Sequence, residues 1–275
     1  MDILAHFSEI APFVLALVGA GGVAGFLAGV FGIGGGAILV PVFYQMLGIL
    51  GFDDAIRMHL SVGTSLAIIV PTSIRSFRAH YLKGAVDMDL LRSFLWVVPA
   101  GVVAASIVTA HISGAGLRGI FAFVALVVGS KLLFAKSHWK LADDIPGNPV
   151  RGIIGFLIGF FSTFMGIGGG VMNNTFMTLF GRPMHQAVAT SSGTGVLISI
   201  PGVIGYVWAG WGTGGMPPFT IGYVNLLALA ILIPVTLFAA PLGVRVAHAL
   251  SRRQLEVAFG LFMFFVAIRF LISLL

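Results

Sequence analysis

The sequence predicts an all-α integral membrane protein: two inverted repeats of five helical segments each, about ten segments in all, some short or re-entrant. Three observations predict it: the composition, the placement of charge, and a glycine-rich motif that occurs twice. The chain is 58% hydrophobic and 9% charged, with a mean hydropathy of +1.07. Soluble domains carry about 25% charged residues, so this chain has too little polar surface to cover itself in water. The charges are also bunched, with none between Glu9 and Asp53, Arg92 and Arg118, Arg151 and Arg182, or Arg182 and Arg245. A spanning helix needs about 20 mostly apolar residues, and the last gap alone holds enough for two or three. The net charge of +6 sits in short loops between apolar runs, a pattern of topology determinants rather than of a nucleic-acid patch. With no cysteine, disulfides and thiolate metal sites are excluded. The first apolar run follows Asp2 and Glu9 with no Lys or Arg ahead of it, so it reads as a mature helix rather than a cleaved leader.

The repeat carries the domain organisation. Gly32-Ile33-Gly34-Gly35-Gly36 recurs as Gly166-Ile167-Gly168-Gly169-Gly170. Each copy follows a long apolar run (Ile10 to Val30, Ile153 to Met165) and precedes a shorter one (Ala37 to Leu50, Val171 to Phe180). A polar turn comes next in both halves, then Ser61-Val62-Gly63-Thr64-Ser65 matched by Ser191-Ser192-Gly193-Thr194-Gly195, then Pro71 matched by Pro201. Pro99-Ala100-Gly101 answers Pro241-Leu242-Gly243, and each unit closes with an apolar segment beginning at Leu117 or Leu255. The expected units are residues 1–140 and 141–275.

Loop charge sets the orientation. Arg75, Arg78, Lys83 and Arg92 crowd the central loop of the first unit, whereas the corresponding stretch from Trp208 to Thr220 has no charge. The positive-inside rule puts the first loop in the cytoplasm and the second outside. Lys131, Lys136, Lys140 and Arg151 place the connector inside, and Arg245, Arg252 and Arg253 do the same for the last loop. Both termini then fall outside, and only Arg118 and Arg269 sit poorly. Equivalent loops on opposite sides mean inverted units, which requires an odd number of segments in each. Merging the short pieces would give eight segments and parallel halves.

Inverted repeats with interrupted segments in matching positions point to a transporter whose site lies near the bilayer midplane. Irregular backbone at that depth survives only where protein or a hydrated cavity satisfies it. Each glycine triplet opens a short helix whose free N–H groups and positive dipole end suit an anion; the competing reading is close helix contact through small residues. On this basis Gly34, Gly35, Gly36, Gly168, Gly169 and Gly170 are candidate substrate-binding residues. Ser61, Thr64, Ser65, Thr190, Ser191, Ser192 and Thr194 offer uncharged donors for an oxyanion, or else bond between helices and to their own carbonyls. Asn173 and Asn174 lie in the apolar run after the second triplet and must find partners, in a cavity or between helices. His59 and His185 flank the turns, where an interfacial histidine is the ordinary occupant and a proton carrier the alternative. Asp53, Asp54 and Arg57 read as a solvated turn, with Tyr44 and Gln45 as weaker pathway candidates. No acidic residue lies well inside a long apolar run, which disfavours a metal-cation pump. No P-loop, HExxH or GxSxG occurs, so an enzyme is the weaker class and no cofactor is expected.

The two GIGGG motifs, each followed by a short apolar stretch and a Thr/Ser-rich helix (Val62-Gly63-Thr64-Ser65; Ala189-Thr190-Ser191-Ser192-Gly193-Thr194), resemble the TauE/SafE sulfite exporter family, from about Ala11 to Leu271. The resemblance implies secondary transport of a small sulfur-containing anion (sulfite, an organosulfonate such as sulfoacetate, or thiosulfate) across the bacterial inner membrane. The halves depart from each other where His59-Leu60-Ser61 stands against Ala189-Thr190-Ser191. The expectation is therefore a multi-pass anion transporter of the cytoplasmic membrane, with a small anion and the lipid bilayer as partners; coupling protons are an open alternative, and the sequence does not name the coupling ion. An anion channel and a non-transporting membrane protein or enzyme are the alternatives.

Overall fold

A computed structural model describes residues 3–31, 36–134 and 140–274. The described chain forms eleven helices and one hairpin of two-residue strands. The first half holds α1 (Ile3–Phe31), α2 (Gly36–Ile49), α3 (Asp54–Leu82), α4 (Met88–Phe94), α5 (Val97–Thr109) and α6 (Gly114–Phe134). The second holds α7 (Val150–Met165), α8 (Gly170–Leu179), α9 (Met184–Ala209), the hairpin β1 (Thr220–Ile221) and β2 (Val224–Asn225), α10 (Leu226–His248) and α11 (Arg252–Ile272). Six described helices are long and apolar enough to cross a bilayer, and α4 with α5, bent by 41°, makes a seventh. The all-helical membrane architecture expected from the sequence is present.

Local signals account for the ends. The Asp53 carboxylate accepts from the Ala55 amide and starts α3, Asn225 accepts from Ala228 to start α10, and Ser251 with Gln254 forms a capping box on α11. Lipid-facing side chains stay uncovered: Phe238 is 82% exposed, Leu15 72% and Phe265 64%. Large apolar groups left uncovered on this scale fit a hydrocarbon solvent.

Helix directions are readable from side-by-side residues. α3 and α9 cross antiparallel at the centre, with Gly63 beside Tyr206, Leu66 beside Gly202 and Ser73 beside Gly195. α6 and α11 are also antiparallel, with Gly129 beside Phe264 and Leu133 beside Gly260. By contrast α1 runs parallel to α10 (Gly21 by Leu232, Gly25 by Thr236, Gly29 by Ala240), as α7 does to α5 (Gly155 by Val97, Phe160 by Gly101).

Two readings of polar residues change. The turn before α3 is not simply solvated: Asp54 takes hydrogen bonds from Tyr44 at 2.6 Å, from Arg57 and from the buried Arg118. Arg118 also donates to the Tyr44 hydroxyl at 2.5 Å. The cation that fitted orientation poorly is thus neutralised by a carboxylate brought beside it by α3. His59 is not an interfacial turn residue; it lies inside α3, 3% exposed, with its ring stacked on Tyr223. His185 is exposed at the start of α9.

Candidate functional site

The second glycine run folds as an open chain break. α7 ends at Gly166 with φ +62°, and Gly169 precedes α8 with φ +70°. Both lie in the left-handed region that L side chains rarely adopt. Among the described residues, the N–H groups of Gly168 through Met172 meet no acceptor, and intrahelical bonding resumes with Asn173 N–H to Gly169 O at 2.7 Å. The break lies deep. Gly168 rests on Ile69 and Gly195, and Gly169 on Thr194 and Ile198, near the midpoints of α3 and α9. Returning from there, α8 has 10 residues, roughly 15 Å at 1.5 Å per residue, so it covers about half the ~30 Å hydrocarbon core. The amide of Leu141, in the connector before α7, donates to the carbonyl of Leu179 at the far end of α8, so the pair leaves and returns at one end of the molecule.

The start of α2 meets this break. Gly36 touches the carbonyl of Gly166 and Cα of Ile167, and a Cβ there would collide with both. The Ser65 hydroxyl donates to the same Gly166 carbonyl at 2.8 Å. Gly34 and Gly35 lie outside the described residues.

A cavity of about 440 Å³ opens beside these breaks, within the range of small-molecule sites. Of the predicted site residues it brings together Gly36, Ser65, Gly168, Gly170 and Ser191. Six do not line it. Thr64 accepts from the Asn225 amide, Ser61 donates to Arg57 O, Thr194 donates to Thr190 O, and Thr190 accepts from the Asp87 amide. Asn173, fully buried, stands behind Ser191. Gly169 is the left-handed hinge next to the lining rather than part of it. Sequence reasoning missed Thr72, Ser73 and Ser76 of α3 and Thr236 of α10, and it named Asn174 and Ser192 without choosing them. A signal was available for α3, since Ser65, Ile69, Thr72 and Ser76 fall on one helical face. The α1 wall of Ala24, Gly25, Ala28 and Gly29 has no polar signal at all.

The cavity's chemistry is set by who donates to whom. The hydroxyls of Thr72 and Ser73 donate to Ile69 O, Ser192 to Ala189 O, and Thr236 to Leu232 O. Their protons are engaged by main-chain carbonyls, so among the described lining residues the donors left over are the α8 amides, the Ser76 hydroxyl and the Asn174 side chain. Among the described residues none that lines the cavity is charged. Its lining runs from the midpoints of α3, α9 and α10 toward the ends that carry Arg75, Arg78, Lys83 and Arg245. On the opposite side of those midpoints Tyr206 is fully buried, and Thr64 ties α3 to the hairpin segment at Asn225. A second, polar hollow of about 490 Å³ lies by the connector, where Arg182 pairs with Asp144 at 2.8 Å and approaches Asp87 at 3.9 Å.

Comparisons with known proteins agree with a membrane transporter. The family model described as Sulfite exporter TauE/SafE matches residues 17–270. A probable membrane transporter protein of Haemophilus influenzae is 32% identical, covering 93% of this chain and 97% of that one. Another of Methanocaldococcus jannaschii is 29% identical over 88% and 89% of the two chains, and one of Bacillus subtilis 27% over 88% and 91%. No solved structure matches significantly. With the family model matching nearly the full length, the chain belongs to the TauE/SafE sulfite exporter family.

Proposed function

We propose that this membrane transporter carries a small sulfur-containing anion across the cytoplasmic membrane by alternating access, binding it in the cavity beside the two glycine breaks. One observation carries the reading: N–H groups at the start of α8, at mid-depth and without an acceptor among the described residues, adjoin a cavity whose described lining has no charge. The positive end of a helix with free donors favours negative charge, and a described lining without a carboxylate lacks the usual attraction for a cation. Sulfite, organosulfonates and thiosulfate follow from the family's description rather than from the cavity itself.

The inverted relation of the two halves is part of the proposal. In supporting it, α3 and α9 occupy corresponding places after their glycine breaks and run antiparallel, as do α6 and α11. Each half's first helix lies parallel to the other half's fourth segment, the exchange a two-fold in the membrane plane would produce. With the basic loops inside and both termini outside, the cavity faces the cytoplasm and the side holding the buried Tyr206 is the outer, closed one. A continuous pore is not what this arrangement offers, which favours the transporter over a channel.

The test is a calorimetric binding screen of purified protein against sulfite, sulfoacetate, taurine, thiosulfate and sulfate. Saturable binding of at least one anion that Gly169→Val removes supports the reading. No binding to any of them by correctly folded protein rejects it.

A further inference from the structure

We infer that a directional hydrogen-bond relay, Asn173 to Ser191 to Asn174, fixes the donor polarity of the cavity, with Ser191 as the positioning residue. This rests on the anion-site reading above and assigns what makes that site prefer an oxyanion. Asn173 is fully buried, and its side-chain amide donates to the Ser191 hydroxyl at 2.9 Å. Ser191, 4% exposed, passes its single proton to Oδ1 of Asn174 at 2.6 Å. An amide has its two donors on nitrogen and its acceptor on oxygen. Once Oδ1 of Asn174 is held by Ser191, the Nδ2 group is the end left over. Among the described residues that nitrogen has no acceptor, and Asn174 lines the cavity.

The direction of the relay is decided at its far end. The Asn173 nitrogen has two acceptors, the Ser191 oxygen and the Met177 sulfur at 3.6 Å, while its Oδ1 meets no donor among the described residues. Turning the amide over would point an oxygen lone pair at the sulfur and leave an N–H group without a partner in the protein interior, which is the costlier arrangement. With Asn173 so oriented, Ser191 accepts from it, and the acceptor its one proton finds among the described residues is Oδ1 of Asn174. The reverse relay would turn the Asn174 oxygen into the cavity and present an acceptor to an anion. The unpaired Oδ1 of Asn173 is what remains unsatisfied by holding this direction.

Oriented donors matter to a ligand with several acceptor oxygens and little to a spherical one. The test therefore measures sulfite and chloride binding to purified full-length wild type, Ser191→Ala and Ser191→Thr, with thermal melting to verify folding. Ser191→Ala frees the Asn174 amide to rotate; we expect about tenfold weaker sulfite binding, chloride binding changed less than about twofold, and recovery of sulfite binding in Ser191→Thr. Unchanged sulfite binding in Ser191→Ala overturns the relay, as does an equal loss for sulfite and chloride. Wild type that binds no anion is the separate failure of the functional reading beneath it.

Discussion

At Gly169 backbone conformation and site geometry are inseparable. Its φ of +70° and a would-be Cβ only 2.7 Å from Ile198 Cδ1 leave no room for a side chain. A left-handed backbone costs a non-glycine residue roughly 1–2 kcal/mol, enough to shift the start of α8 without unfolding the molecule. Gly169→Val is expected to insert and fold yet lose at least tenfold in anion flux in proteoliposomes, with Gly169→Ala intermediate; normal flux in the valine variant would remove this hinge from the mechanism. This position was legible in the sequence because a repeated GIGGG at membrane depth has few physical explanations. Which hydroxyls face the cavity was not legible. Ser61 and Ser65 are one helical turn apart and equally polar, but one bonds Arg57 O and the other the Gly166 carbonyl of the facing break. That difference comes from the neighbouring chain.

Among the elements, α2, α3 and α6 are tied together by Asp54, Arg57, Tyr44 and Arg118, well away from the cavity. Arg118 is 4% exposed, whereas Asp54 is 42% exposed. Removing one partner of a buried ion pair costs about 3–5 kcal/mol, and exposure of Asp54 reduces that to roughly 1–3 kcal/mol. Asp54→Ala should lower the melting temperature in detergent by several degrees, and adding Arg118→Leu should restore part of the loss. A double variant no more stable than Asp54→Ala would deny that unpaired Arg118 is the cause. The long helices and their caps were readable from apolar runs and from Asp53, Asn225 and Ser251. The sequence read His59 as a turn residue because its distance from the Asp53 cap allowed that; stacking on Tyr223, more than 160 residues away in the chain, puts it in the interior.

For the whole molecule, the proposed transport cycle has the cavity beside the α7–α8 break open on the basic side and closed on the other, with access exchanged between sides. The chain contains no cysteine, so single cysteines report access without interference. Ser76→Cys and Ser192→Cys, both in the cavity lining, should react with a membrane-impermeant maleimide in inside-out vesicles and be slowed by sulfite. Reaction only in right-side-out vesicles would reverse the assigned orientation. The overall architecture was legible because charge gaps and a duplicated motif are properties of the chain itself. The cavity's extent was not, since its α1 and α10 walls are small or apolar residues that mark no site. The most direct measurement of the central claim is counterflow: proteoliposomes loaded with unlabelled sulfite, diluted into a trace of ³⁵S-sulfite. Transient accumulation of label above its equilibrium level, absent in Gly169→Val, is the predicted result. Label that only equilibrates, or does not enter at all, contradicts an alternating-access anion transporter.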